Sequence, residues 1–207
     1  MAVANNAEEF IAKQRMAVAS SPECGTSHYN LAVALLGQQK YDEAEEELMD
    51  AVECSPNLAE AYVQLGGLCF RRGDLEGCLS YNKQAVHSRA GFFEGYGNIG
   101  FVYLQMGKIE EAIAALEKAI RWNPNFIQAI TTLANAYLMQ DRVEDSIKMG
   151  QKAVALESNF AIAHNNLAIA YLENGQHDLA AEHCDKAVRL GYEVSPEILA
   201  EIEKHRS

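Results

Sequence analysis

The chain has 207 residues, 49% hydrophobic and 22% charged, with a formal net charge of −12. That length supports one or two domains around a sizeable core. The acidic balance argues against nucleic acid as a partner, because nucleic-acid binders concentrate Lys and Arg to release counterions, and it equally disfavours an anionic membrane surface.

No run approaches the roughly 18 apolar residues of a membrane-spanning helix. The start, MAVANNAEEF, has neither the basic n-region nor the apolar h-region of a secretory signal. Cys24, Cys54, Cys69, Cys78 and Cys184 are an odd set with no CxxC pair and no zinc spacing. They read as reduced, mostly buried thiols of a cytoplasmic protein, and no metal or cofactor is expected.

The first predicted element is a helix over residues 7–20 (AEEFIAKQRMAVAS), followed by Pro22. Pro22, Pro56 and Pro124 lie on one ruler of 34 residues. With these as position 32, five units follow: 25–58, 59–92, 93–126, 127–160 and 161–194. Position 27 is alanine in all five, at Ala51, Ala85, Ala119, Ala153 and Ala187. Position 7 is Leu31, Leu65, Ile99, Leu133 and Leu167, and position 8 is Ala32, Gly66, Gly100, Ala134 and Ala168.

Small residues at positions 8, 20 and 27 let two helices approach, and large ones at 4, 7, 11 and 24 fill the space left. Each unit therefore splits into a helix over positions 1–14 and another over 18–30. The break carries Gly and polar residues, as in RRGD, QMGK and ENGQ. The proline at position 32 stops the second helix. Two second helices look locally weak. One has Gly77, Cys78 and Asn82 where a helix former, alanine and a large apolar residue are wanted, the other Ser146 and Gly150 at positions 20 and 24. Residues 1–24 hold a second helix alone, with Ala17 at position 27, and so read as a half repeat. Residues 195–207 open with Ser195 as N-cap and Pro196 at the first helical position. Ile198, Leu199 and Ile202 give that helix an apolar stripe, so it reads as a C-terminal cap.

The pattern Tyr96-x2-Ile99-Gly100-x2-Tyr103…Ala112…Leu116…Ala119…Pro124 resembles the tetratricopeptide repeat, a 34-residue helix pair. The resemblance covers residues 25–194. It implies an all-α fold, a right-handed α-solenoid with a concave groove. It also implies a non-enzymatic module that binds an extended or helical segment of another protein. By the same resemblance, positions 2, 5, 6, 9, 12 and 13 of each first helix line the groove.

Position 6 then supplies a polar ladder of Asn30, Gln64, Asn98, Thr132 and Asn166. Positions 5 and 9 add Asn165, Phe101 and Asn135, and position 12 adds Phe70, Leu104, Leu138 and Leu172. An amide both donates and accepts, so the ladder suits a peptide backbone, with apolar neighbours for its side chains. Arg71 is the single basic residue in these columns. The Lys/Arg clamp with which chaperone-binding members grip a C-terminal carboxylate is therefore missing, and an apolar, mildly polar or basic segment fits better.

Nothing in the chain looks catalytic: it has no P-loop, GxGxxG, HExxH or GxSxG. His28 and His164 fall at packing position 4. His177 and His183 are about 120° apart around a helix, poorly placed to share an ion. Phe92, Phe126 and Phe160, all at position 34, read as staples onto the following repeat. The acidic run 42–53 reads as a solvated outer face that could steer a basic partner. Two other readings stay open. One is a self-assembling scaffold, a homo-oligomer docking through Phe10, Ile11 and Met16. The other is a dedicated secretion or assembly chaperone.

Overall fold

The computed structural model describes residues 2–206, with side chains from 7 to 206. Among the described residues there are twelve α-helices and no strand. The chain divides into two compact units within one helix, between Asn98 and Ile99. The first unit holds α1 (Ala2–Ser20), α2 (Gly25–Gly37), α3 (Tyr41–Cys54), α4 (Ala59–Arg71), α5 (Leu75–Ser88) and the start of α6 (Phe93–Gln105). The second holds the rest of α6, α7 (Ile109–Trp122), α8 (Ile127–Leu138), α9 (Val143–Leu156), α10 (Ala161–Glu173), α11 (His177–Arg189) and α12 (Pro196–Lys204).

Small side chains at the crossings set the packing. Ala32, Ala51 and Ala61 are fully buried among Leu48, Leu65 and Leu68 in the first unit. Ala168, Ala180 and Ala187 do the same beside Leu167 and Tyr171 in the second. A Cβ on Gly25 would lie 2.6 Å from the Ala51 carbonyl oxygen, so α2 touches α3 backbone there. Each turn from a first helix to its second passes through one left-handed residue. It is glycine at Gly73 (φ 77°), Gly107 (72°) and Gly175 (71°), as a helix C-terminus prefers. Gln39 (59°) and Asp141 (60°) adopt it without glycine.

Proline is not what ends every second helix. α3 and α7 stop two residues before Pro56 and Pro124, but α9 stops at Leu156 with Ser158 at the proline position. The glycine of α5 also has a positive use. The Asp74 carboxylate accepts the Gly77 N–H at 2.8 Å as an N-cap, and a side chain at 77 would crowd that carboxylate. Gly150 in α9 leaves room for Leu167, whose Cγ would lie 2.7 Å from a Cβ there.

At the chain start α1 packs on α2 through Ile11, which is buried, and Val18, which is half-buried. Ile11 is therefore not part of an exposed stripe. Phe10 and Met16 are, at 51% and 71% exposure, and Ala17 is exposed with them. Position 27 is buried only where a first helix lies opposite. At the other end Ser195 Oγ accepts the Ile198 N–H, and Ile202 is buried with Ile198 and Leu199 against the α10–α11 cluster.

Candidate functional site

In the second unit, α6, α8 and α10 line an open cleft of about 440 Å³, within the range of ligand sites. It gathers six of the residues singled out from sequence: Phe101, Leu104, Thr132, Asn135, Asn165 and Asn166. Phe101 and Asn135 are exposed, whereas Leu104 and Asn165 are buried at its base. Asn166 Nδ2 donates to the Thr131 carbonyl at 3.3 Å. The Thr131 and Thr132 hydroxyls donate to backbone one turn back, to Ile127 and Gln128, at 2.8 and 2.7 Å. Their oxygens therefore face the cleft chiefly as acceptors. Leu138 and Leu172 do not line the cleft; both are half-buried, and Leu172 packs on the Leu167 cluster.

Other lining residues stand outside the ladder and apolar stripe picked from sequence. Gln105, Gln128, Ile162 and Ile169 fall at positions 13, 2, 2 and 9, columns that the repeat frame places in the groove. Phe160 and Tyr192 come from the turns. Phe160 packs against Ile130 and Ala163, as a staple would, and also walls the cleft.

The predicted residues of the first unit do not converge in the same way. Gln64 lines a pocket of about 350 Å³ with Tyr29, Glu60, Arg89 and Phe92. Burial and the Glu60 charge push the Tyr29 phenol up. Arg89 grips Glu60 with two bonds of 2.7 and 2.6 Å and holds its carboxyl below the usual range. Asn98 Nδ2 donates to Asn82 Oδ1 at 3.0 Å, and Asn82 Nδ2 donates to the Cys78 carbonyl at 2.9 Å. Asn30 is exposed, Phe70 is 39% exposed, and the Arg71 guanidinium sits 3.5 Å above the Tyr41 ring.

A histidine–glutamate pair and a histidine–histidine pair occupy equivalent places in their helix pairs. His28 Nε2 lies 2.8 Å from the Pro22 carbonyl and Nδ1 lies 2.7 Å from Glu47 Oε2. His164 Nε2 lies 3.0 Å from the Ser158 carbonyl and Nδ1 lies 2.8 Å from His183 Nδ1. A carbonyl only accepts, so each Nε2 carries a proton. The 2.7 Å contact to Glu47 then also needs a proton, which makes His28 an imidazolium paired with a carboxylate. Burial opposes that charge, but the Pro22 carbonyl, Glu47 and Asp50 together raise the His28 pKa. His28, Glu47 and Asp50 bring three metal-capable atoms within 4.8 Å of one another. The imidazole there is already committed on both nitrogens. His183 differs: burial, then His164, lowers its pKa.

A family model described as tetratricopeptide repeat matches residues 93–126, and a second of the same description matches 4–59 and 131–191. No functionally curated protein matches the chain. Among solved structures, pilF of Pseudomonas aeruginosa superposes with a TM-score of 0.82 at 20% identity, over 98% of this chain and 91% of its own. YrrB, described as a TPR protein with an unusual peptide-binding site, gives 0.72 at 16%, over 92% and 97%. MamA of Desulfovibrio magneticus RS-1 gives 0.70 at 24%, over 80% and 94%. These likenesses establish the fold. Among the described residues, no helix is long and apolar enough to cross a membrane.

Proposed function

This chain belongs to the tetratricopeptide repeat family, and we propose that it is a non-catalytic cytoplasmic module that holds a segment of a partner protein in the second-unit cleft. The family is one of protein–protein interaction modules. The observation that carries the finer reading is the meeting of Asn135, Asn165 and Asn166 with Phe101 in one open cleft. Amides there supply the donors and acceptors that an extended backbone needs, and the ring supplies a contact for side chains. The peptide-binding site named for YrrB lies on the same fold and lends support by analogy.

The test is a photo-crosslinker, p-benzoylphenylalanine, introduced at Asn135 in the cleft and, separately, at exposed Asp178 on α11. In the source cells the cleft position should capture a protein that the α11 position does not, through a contiguous stretch of that protein. Identical products from both positions, no product, or only copies of this chain would sink the reading.

The exposed Phe10 and Met16 of α1 support a second reading, a scaffold that assembles through that helix. It predicts a sedimentation coefficient that rises with concentration and stops rising in Phe10→Ser, Met16→Ser protein.

A further inference from the structure

Charged residues make up 22% of the chain, yet among the described residues lining the second-unit cleft there is no Asp, Glu, Lys, Arg or His. The polar wall consists of amides and hydroxyls, with Gln105 and Gln128 beside the asparagines and threonines already described. The apolar wall is Phe101, Phe160, Ile162 and Ile169. Phe101 and Ile162 present 40% and 45% of their surface to solvent. The first-unit pocket is built otherwise, with Glu60, Arg89 and Glu94 at its rim. Charge is thus missing from this cleft and not from the molecule.

That absence selects a ligand. A charged side chain entering the cleft would lose part of its hydration and meet no counter-charge among the lining residues, an unfavourable exchange. An uncharged polar group exchanges water for Asn, Gln and Thr partners at about even terms. An apolar side chain laid on Phe101 and Ile162 gains in proportion to the area it removes from water. Resting on the proposed function, we infer that the segment held here is uncharged: an extended stretch with amide, hydroxyl or apolar side chains, one of them bulky and seated on Phe101 and Ile162. The basic segment admitted by the sequence is disfavoured at this cleft.

The experiment is selection of a random peptide display library on the full chain, followed by fluorescence anisotropy with the recovered peptides. Cleft variants Phe101→Ser, Ile162→Ser and Asn135→Ala serve as counter-targets. Ile162 and Asn135 are exposed, so two of the three remain informative if Phe101→Ser misfolds. The expected peptides lack Lys, Arg, Asp and Glu in their contact stretch and lose affinity on all folded cleft variants. Their affinity holds between about 0.05 and 0.5 M salt, where a charge-led contact weakens. A Lys placed in the stretch lowers affinity about tenfold or more, and Asn135→Asp recovers part of that loss. Cleft-dependent peptides that are charged and salt-sensitive overturn this inference while leaving the cleft a peptide site. Peptides indifferent to the cleft variants, or no recovered peptide, remove both this inference and the function it rests on.

Discussion

At His28 a carbonyl and a carboxylate favour the charged ring, while at His183 burial, and then the neighbouring His164, disfavour it. The two answer acid in opposite senses. The His28 pKa is raised on folding, so its stabilisation is full below the unfolded value of about 6.5 and is lost as pH rises through the folded value. The His183 pKa is lowered, so its contribution is full above about 6.5 and is lost as pH falls towards the folded value. Urea unfolding at a series of pH values should separate them. His28→Ala should cost about 2 kcal/mol at pH 6 and less at pH 9, because it removes hydrogen bonds of a charged ring. The wild type should lose stability as pH falls from 7 to 5, and His183→Gln should flatten that loss. A loss unchanged by His183→Gln would assign the acid response elsewhere.

α9 is one of the two second helices that look locally weak in the sequence, and its two exceptional residues differ in kind. Ser146 is fully buried and its Oγ has no hydrogen-bond partner among the described residues. Alanine occupies the equivalent place at Ala44, Ala112 and Ala180. Ser146→Ala should therefore raise stability by about 1 kcal/mol, read as a higher urea midpoint. Gly150→Ala should do the reverse. Helix propensity favours alanine by about 1 kcal/mol, but the new methyl must displace Leu167, and overpacking costs about 1–3 kcal/mol. A midpoint higher than wild type in Gly150→Ala would show that Leu167 yields freely.

The helix pairs were legible because alanines and leucines recur at fixed offsets, and packing enforces those offsets. The use of each exception was not legible. Gly77 accommodates a cap, Gly150 accommodates Leu167, and Asn82 ties Asn98 to the Cys78 carbonyl. Each depends on a neighbour's side chain that no repeat pattern encodes. The cleft follows the same division. Its helix-borne residues fall in predicted columns, whereas Phe160 and Tyr192 enter from turns, whose direction the sequence does not state.

For the molecule as a whole, the net charge of −12 and the uncharged cleft act at different times. The field of the chain reaches outward about a Debye length and steers the approach of a charged segment only. Nothing in the cleft extends that field to the final docked pose. Arrival at the cleft should run at the unsteered rate, about 10⁵–10⁷ M⁻¹s⁻¹, and stopped-flow should find it nearly constant as salt rises. An on-rate that falls steeply with salt would show that docking begins on the acidic surface instead. On the proposed reading, with arrival so ordinary, how long a partner stays is left to the amides and rings of the cleft. Exchange of one partner for another would then be timed by departure.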